Sequence, residues 1–288
     1  GVPRPGRRCR AAGGAWGVRV PRQGKWFGMV RAMGAGLAST GTWMGREMRV
    51  FVRWLWFGHA GGRTPWVRRL LAVLFFLVLP APVLLLLVFR FVPIPFTPQM
   101  AIDLVTLNPV SYHWREADDI SPYLGRAVIG SEDQNFCNHD GFDWKEMQSA
   151  WRDYRVRHKP LRGASTLSQQ TAREVFLTSW RSFIRKGVEA YLTVLMEALW
   201  PKKRILTVYL NVVDWGHGNY GAEAAAQNYF GVPAAELTQA QAARLAAVLP
   251  NPERFKADKP GRYVRRRTGT LVTRQHQVVR DALDWCLK

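Results

Sequence analysis

Residues 70–89 read Leu-Leu-Ala-Val-Leu-Phe-Phe-Leu-Val-Leu-Pro-Ala-Pro-Val-Leu-Leu-Leu-Leu-Val-Phe, twenty positions without a charge. A helix rises about 1.5 Å per residue, so this run covers roughly 30 Å, the thickness of a bilayer's hydrocarbon core. It is apolar on every side, unlike an amphipathic core helix, and predicts one membrane span with a kink near Pro80 and Pro82. Residues 93–98 (Pro-Ile-Pro-Phe-Thr-Pro) then form a stiff spacer with little helix potential. Beyond it the pattern turns helical. Ser121 before Pro122 predicts an N-cap with proline at the first helical position, opening a helix that runs towards Asp133. Thr166 with Gln169 fits a capping box, as does Thr238 with Gln241. Residues 181–200 carry apolar side chains at 188, 192, 195 and 199, the spacing of one buried face, and Pro201 ends the run. Ile205, Tyr209 and Val212 repeat the period, and the alanines of residues 222–230 favour another helix. Strand-like alternation is scarce, so residues from about 100 to 288 are expected to be mostly α-helical.

Charge refines this organisation. The 288 residues carry a formal net charge of +20, which calls for a polyanionic partner. Fourteen of the 41 Lys and Arg but only one of the 21 acids, Glu47, precede Leu70, leaving +13 there and +7 in the rest. The excess is therefore mostly N-terminal, and the body does not call for nucleic acid. Arg63, Arg68 and Arg69 precede the span, while no Lys or Arg occurs between Arg90 and Arg115. The positive-inside rule keeps the N-terminus cytoplasmic and sends the remainder outward, as a single-pass uncleaved signal anchor. The expected divisions are 1–65, a basic and disordered cytoplasmic segment; 66–92, the anchor; and 93–288, an extracytoplasmic domain. Much of the stretch before Met44 reads as untranslated or disordered, with Met44 or Met48 as alternative starts, and residues 46–59 are Trp-rich enough to lie along a membrane surface. Cys9, Cys137 and Cys286 show no paired spacing and read as isolated thiols. No metal-ligand cluster stands out, and His139 reads as a structural histidine.

Three segments carry candidate chemistry. Glu132 and Asp133 close a predicted helix, followed by Phe136 and the turn His139-Asp-Gly141. Beside Phe136 and Ala127-Val-Ile129, a partly desolvated Glu132 is suited to act as a base; alone, the two acids also fit a solvated pair. Residues 162–170 (Arg-Gly-Ala-Ser-Thr-Leu-Ser-Gln-Gln) place free backbone N–H groups at a helix start, a phosphate site, or simply a well-capped helix. Gln169 and Gln170 have amides for sugar hydroxyls or phosphate oxygens. Arg181, Arg185 and Glu189 recur every four residues with Lys186 alongside. They form either a clamp for pyrophosphate with a second acid or an ordinary surface ion pair.

Read together, these segments resemble the peptidoglycan glycosyltransferases, most closely the monofunctional biosynthetic transglycosylases. The resemblance lies in Glu132-Asp-Gln-Asn-Phe-Cys-Asn-His-Asp-Gly-Phe-Asp143, Gly163-Ala-Ser-Thr-Leu-Ser-Gln-Gln170, Arg181-Ser-Phe-Ile-Arg-Lys-Gly-Val-Glu-Ala190 and Lys203-Arg-Ile-Leu-Thr-Val-Tyr-Leu-Asn211. Gly221-Ala-Glu-Ala-Ala-Ala-Gln-Asn-Tyr-Phe230 and Ala246-Ala-Val-Leu-Pro-Asn-Pro252 extend it. It implies a lysozyme-like α-helical domain that polymerises lipid II into β-1,4 glycan with inversion. Glu132 would take the proton of the acceptor's 4-hydroxyl, and Glu189 matches the family's second glutamate. Undecaprenyl pyrophosphate would leave, met by Arg181, Arg185 and Lys186. Asp133, Phe136, Ser165, Thr166, Gln169, Gln170 and Arg173 complete the implied substrate-binding set, while Asn211 and Glu223 match architectural positions. No cofactor is required by the resemblance; a divalent cation, Mg or Mn, beside the pyrophosphate is an option. The implied setting is the inner membrane with a periplasmic domain, and cell-wall synthesis or division proteins are candidate partners.

Two positions depart from the family pattern. Arg173-Glu174 stands where Lys-Asn is usual, and Val188 stands where many two-domain relatives carry Lys. No Ser-x-x-Lys or Lys-Thr-Gly follows the domain, so cross-linking is expected to fall to other proteins. A lytic glycan hydrolase acting through Glu132 and a non-catalytic membrane scaffold are the rival readings. A hydrolase needs neither a cationic pyrophosphate clamp nor an adjacent anchor.

Overall fold

The computed structural model describes residues 65–158, 165–178, 180 and 182–287. Arg181, Gly163, Cys9, Met44, Met48 and the Trp-rich stretch at 46–59 lie outside the described residues. The chain divides into two units, residues 1–75 and 76–288. In chain order the helices are α1 (Pro65–Val78), α2 (Pro80–Phe89), α3 (Pro98–Val105), α4 (Pro122–Glu132), α5 (Trp144–Arg157) and α6 (Leu167–Phe176). They continue with α7 (Phe183–Leu199), α8 (Lys202–Val212), α9 (Ala222–Phe230), α10 (Gln239–Val248) and α11 (Arg262–Arg280). The one sheet among the described residues is a parallel pair, β1 (Ser111–Tyr112) with β2 (Asn219–Tyr220). The class is mostly α, as the pattern predicts.

The apolar run appears as Arg69–Phe89, the one helix among the described residues long and apolar enough to cross a membrane. Pro80 opens α2, so the break falls where proline removes a backbone donor. At its far end α2 is tied into the rest of the second unit through its backbone carbonyls. Trp200 Nε1 donates to Leu86 O at 2.6 Å, and Arg204 donates to Phe89 O at 2.7 Å and to Val92 O at 2.6 Å. Tyr191 Oη likewise donates to Val78 O at 2.6 Å. Aromatic and cationic side chains thus take up backbone acceptors at the proline break and at the end of the apolar segment.

Local chemistry sets the other boundaries. Thr166 and Gln169 form the predicted capping box on α6, and Thr238 and Gln241 form the one on α10. Ser121 precedes Pro122 as predicted but does not cap: its Oγ donates to Leu237 O at 2.7 Å, tying α4 to the segment before α10. The buried stripe of α7 is Glu189, Leu192, Thr193 and Met196. Val188 is exposed and Leu195 and Leu199 only half-buried, so the packed face lies about one residue further round than the apolar spacing indicates. A charge, Glu189, sits inside it, and hydrophobicity alone could not reveal that.

One core runs through the second unit. Helices α4, α10 and α11 pack together, and α6 packs on α7 and α8. Ala242, Ala243, Ala246 and Ala247 are fully buried on α10, small side chains that let helices approach closely. On α11 the buried Val264, Leu271 and Val278 recur every seven residues, a stripe that the reading of the sequence did not pick out.

Cys137 and Cys286 are not isolated thiols; they form a disulfide with Cα atoms 5.5 Å apart at a sequence separation of 149. Spacing carries no trace of such a pair. It arises because the chain after α11 returns to the 3₁₀ turn Phe136–Asn138 just beyond α4. Trp285 Nε1 donates to Asn138 Oδ1 at 3.3 Å, and Arg126 pairs with Asp284 at 3.2 Å, so the C-terminal segment is fastened at three points. Cys286→Ala should cost about 2–5 kcal/mol of stability on the chain-entropy model. Dithiothreitol should lower the Tm of the detergent-solubilised wild type to that of the variant and leave the variant unmoved; a wild-type Tm indifferent to reductant would contradict the bridge.

Asp214 gives a pH-dependent contribution. Burial pushes its carboxyl up to about 6, against a hydrogen bond from Gly216 N–H. The folded state therefore binds more protons than the unfolded state between about pH 4 and 6, and stability falls as pH rises through that window. Asp214→Asn keeps the acceptor for Gly216 and should stabilise the protein by about 1–3 kcal/mol at pH 7. Denaturant titrations at pH 5 and pH 7 check it: the gain should shrink at the lower pH.

Candidate active site

A polar cleft of about 520 Å³ opens beside the end of α4, lined among others by Glu132, Asp143, Ser165, Thr166, Arg267 and Arg274. Glu132 is the last residue of α4, and its side chain is 17% exposed, partly withdrawn from water yet reachable. Both carboxylate oxygens are held. Oε1 accepts from Ser131 Oγ at 2.8 Å and lies 3.9 Å from Arg267 Nη2; Oε2 accepts from Gln170 Nε2 at 3.3 Å. Gln170 in turn accepts from Tyr209 Oη at 3.0 Å. Tyr209 is fully buried, and desolvation first, then the charges of Glu132 and Glu174, hold its phenol well above the usual range. It remains a donor.

Asp133, next to Glu132, faces inward. It is 8% exposed and accepts from His139 Nε2 at 3.0 Å and from the Leu167 backbone N–H at 2.9 Å. Leu167 is the first residue of α6, so the helix start expected to offer free N–H groups to phosphate already holds an internal carboxylate. The Gln169 N–H is also taken, by Thr166 Oγ1, within the capping box. Gln169 is itself buried, and its Oε1 accepts from the Thr166 N–H. Thr166 donates through its hydroxyl to Gly141 O at 2.6 Å. Gly141 has φ +87°, and a Cβ there would stand 2.9 Å from Thr193 Cγ2, so glycine is needed for both conformation and space. Phe136 is fully buried, with Lys202 Nζ 4.6 Å from its ring centroid; it supports the loop from within the core and does not line the cleft. His139 is the structural histidine that was expected.

Behind Ser165 stands the second charged group. Glu189 is 2% exposed and both of its oxygens are occupied: Oε2 accepts from Arg185 Nη1 at 3.0 Å, and Oε1 from Lys186 Nζ. Lys186 Nζ also donates to Ser165 Oγ at 3.2 Å, so the triad reaches the cleft wall through Ser165. This is no surface pair, because the anion is sealed beneath the two cations. Arg173 pairs with its neighbour Glu174 at 2.6 Å. Burial disfavours the Arg173 charge, but the Glu174 ion pair and hydrogen bonds outweigh it and hold the guanidinium's pKa above its usual value. That charge is thus largely answered locally.

The sequence missed one wall. Arg267 Nη2 donates to Ser131 Oγ at 2.9 Å and Arg274 Nη1 to Gly130 O at 2.8 Å, so α11 grips the end of α4. Arg267 and Arg274 are seven apart on the face that carries Val264, Leu271 and Val278, and that spacing was the available signal. Arg267 Nε and Arg185 Nε are buried without a partner among the described residues. Asp143 caps α5 by accepting from the Glu146 N–H at 2.9 Å and from Asn135 Nδ2 at 2.7 Å. Asn211 and Glu223 are architectural, as expected: Asn211 bonds both the N–H and the carbonyl of Arg115, and Glu223 pairs with its guanidinium at 3.0 Å.

Comparison with known proteins supplies the family. A family model described as transglycosylase matches residues 102–278. The biosynthetic peptidoglycan transglycosylase of Caulobacter vibrioides is 49% identical over 221 residues, 77% of this chain and 96% of the relative. Its namesake in Rhodospirillum centenum is 48% identical over 222 residues, 77% and 95% of the two chains. That of Shewanella oneidensis is 45% identical over 217 residues, 74% and 91%. The match takes in both walls of the cleft and the helices that carry them, and the chain belongs to the transglycosylase family.

Proposed function

We propose that the chain is a peptidoglycan glycosyltransferase that polymerises lipid II into β-1,4-linked strands, with Glu132 as the general base. The partly exposed carboxylate of Glu132 in a polar cleft carries this reading. A second charged group, Lys186 with its buried anion, reaches the cleft wall through Ser165. Glu132 would take the proton of the acceptor's 4-hydroxyl while that oxygen attacks the anomeric carbon of the growing strand. Inversion follows from attack opposite the departing pyrophosphate. Arg185 and Lys186, joined by Arg181 from outside the described residues, would meet the developing negative charge. The buried, unpartnered Arg185 Nε and Arg267 Nε are further donors for substrate oxygens. Glu189 fits an orienting charge better than a second acid, because both of its oxygens already hold cations.

Among the described residues no group of three or more His, Cys, Asp and Glu is placed to hold a metal. A divalent cation would therefore depend on the pyrophosphate oxygens for most of its ligands. Phe183 is 99% exposed and Ile184 82%, in the same first turn as Arg185 and Lys186. Such side chains suit a lipid tail or a membrane surface beside the charged clamp. The apolar helix supports single-pass anchoring. A disulfide is at home in an oxidising compartment, which favours a periplasmic domain on an inner-membrane anchor. Such a position is open to cell-wall synthesis or division proteins as partners.

The test is incubation of the purified full chain with lipid II. Polymer is expected, and cleavage of finished sacculi without polymer would favour a hydrolase. Glu132→Gln should lower polymerisation at least about 100-fold with Tm unchanged; an active Glu132→Gln protein would overturn the mechanism. Glu189→Gln should behave differently. It leaves two cations without their anion, and should lose activity together with about 1–3 kcal/mol of stability, discounted for the half-exposed Lys186. Unfolding curves beside the rates separate the two glutamates.

A further inference from the structure

Gln170 occupies an unusual place for a residue whose amide was expected to meet the substrate. Its Oε1 accepts from Tyr209 Oη at 3.0 Å, and its Nε2 donates to Glu132 Oε2 at 3.3 Å. Only one amide orientation serves both neighbours. Turned over, Gln170 would set its carbonyl oxygen against a carboxylate oxygen, acceptor against acceptor. We propose that Tyr209 is a positioning residue for the base, acting through Gln170 to fix the carboxylate of Glu132 in the plane from which it takes a proton. The inference rests on Glu132 being the base.

The geometry supports this in three ways. Tyr209 lies fully buried on α8, so its hydroxyl is held by the core and is not tumbling in solvent. Burial also keeps that hydroxyl protonated, which leaves donation to Gln170 as its consistent role. The final torsion of a glutamate is broad and weakly restrained on its own, so a carboxylate held at one oxygen by Ser131 alone could still swing. The second tether, through Gln170, removes that freedom. A base works only within hydrogen-bonding reach of its proton, and a displacement near 1 Å can cost roughly 100-fold in rate. Tyr209 makes its hydrogen bond to Gln170 and does not line the cleft, so its effect on the carboxylate's position has to pass through Gln170.

A kinetic double-mutant cycle on the purified full-length protein with lipid II tests the relay. Tyr209→Phe keeps the ring and removes the donor. We expect kcat to fall roughly 10- to 100-fold while KM stays within about threefold, as for loss of an interaction that matters only in the transition state. Gln170→Ala should give the same split. The double variant should be no slower than Gln170→Ala alone, because the two residues act in series. Full activity of Tyr209→Phe, losses that multiply in the double variant, or a rise in KM with kcat unchanged would each overturn the proposal. If Tyr209→Phe does not fold, the kcat and KM of Gln170→Ala still decide, since that side chain lies only partly buried. A Glu132→Gln control keeps the two levels apart. An inactive Glu132→Gln beside a fully active Tyr209→Phe would defeat the relay and leave the base assignment standing, whereas an active Glu132→Gln would defeat both.

Discussion

A single inward-facing carboxylate, Asp133, joins the two halves of the cleft. It sits one residue beyond the helix that ends in Glu132, and it accepts the first backbone N–H of α6, the helix that carries Gln169 and Gln170. A helix N-terminus favours a negative charge, through its unpaired N–H groups and its dipole. Here the anion it receives is part of the protein. The consequence is geometric: Glu132, Thr166 and Gln170 share one frame because the helix bearing one of them is fastened to the start of the helix bearing the others. His139 completes the fastening from the third side. Without it, Glu132 and its tether would belong to elements free to shift against each other.

The two glutamates then differ through their surroundings. Glu132 closes a helix, where the dipole opposes negative charge, and Ser131, Gln170 and the more distant Arg267 offset this without saturating it. It keeps solvent access and so can exchange a proton. Glu189 is sealed, with a cation on each oxygen. A buried charge of that kind adds little to stability, because desolvation consumes most of the attraction. Its use lies in holding two cations that would otherwise repel each other and splay into solvent.

Much of this could be read along the chain, and what could not has a common cause. Helix starts at Thr166 and Thr238 are local chemistry, complete within four residues, and both were legible. The roles proposed for Glu132 and Glu189 rest on motif order. By contrast Arg267 meets Ser131 across 136 residues, and Cys137 meets Cys286 across 149. Such pairings depend on how helices return on one another, information that periodicity does not carry. The stripe of α7 was misplaced for a related reason: a buried glutamate looks polar in the sequence, and only its two partners make burial tolerable. Of the two residues expected to contact substrate beside Glu132, Phe136 lies wholly in the core, whereas Asp133 lines the cleft while also bonding inward.

The departure at Arg173-Glu174 makes sense in the same electrostatic terms. Arg173 is paired with Glu174, so its contribution to the field in the cleft is small compared with that of a lysine beside a neutral asparagine. Positive charge beside Ser165 is then concentrated at the start of α7. There Arg185 and Lys186 lie within the first turn, and the helix dipole adds positive potential of its own. Cations at a helix N-terminus oppose that dipole, and placing two of them there would destabilise the turn. Glu189, one turn further on and beneath both, supplies the compensating charge. The two cations and the buried anion thus leave the start of α7 with a net positive charge on its exposed side and a balanced one on its core side.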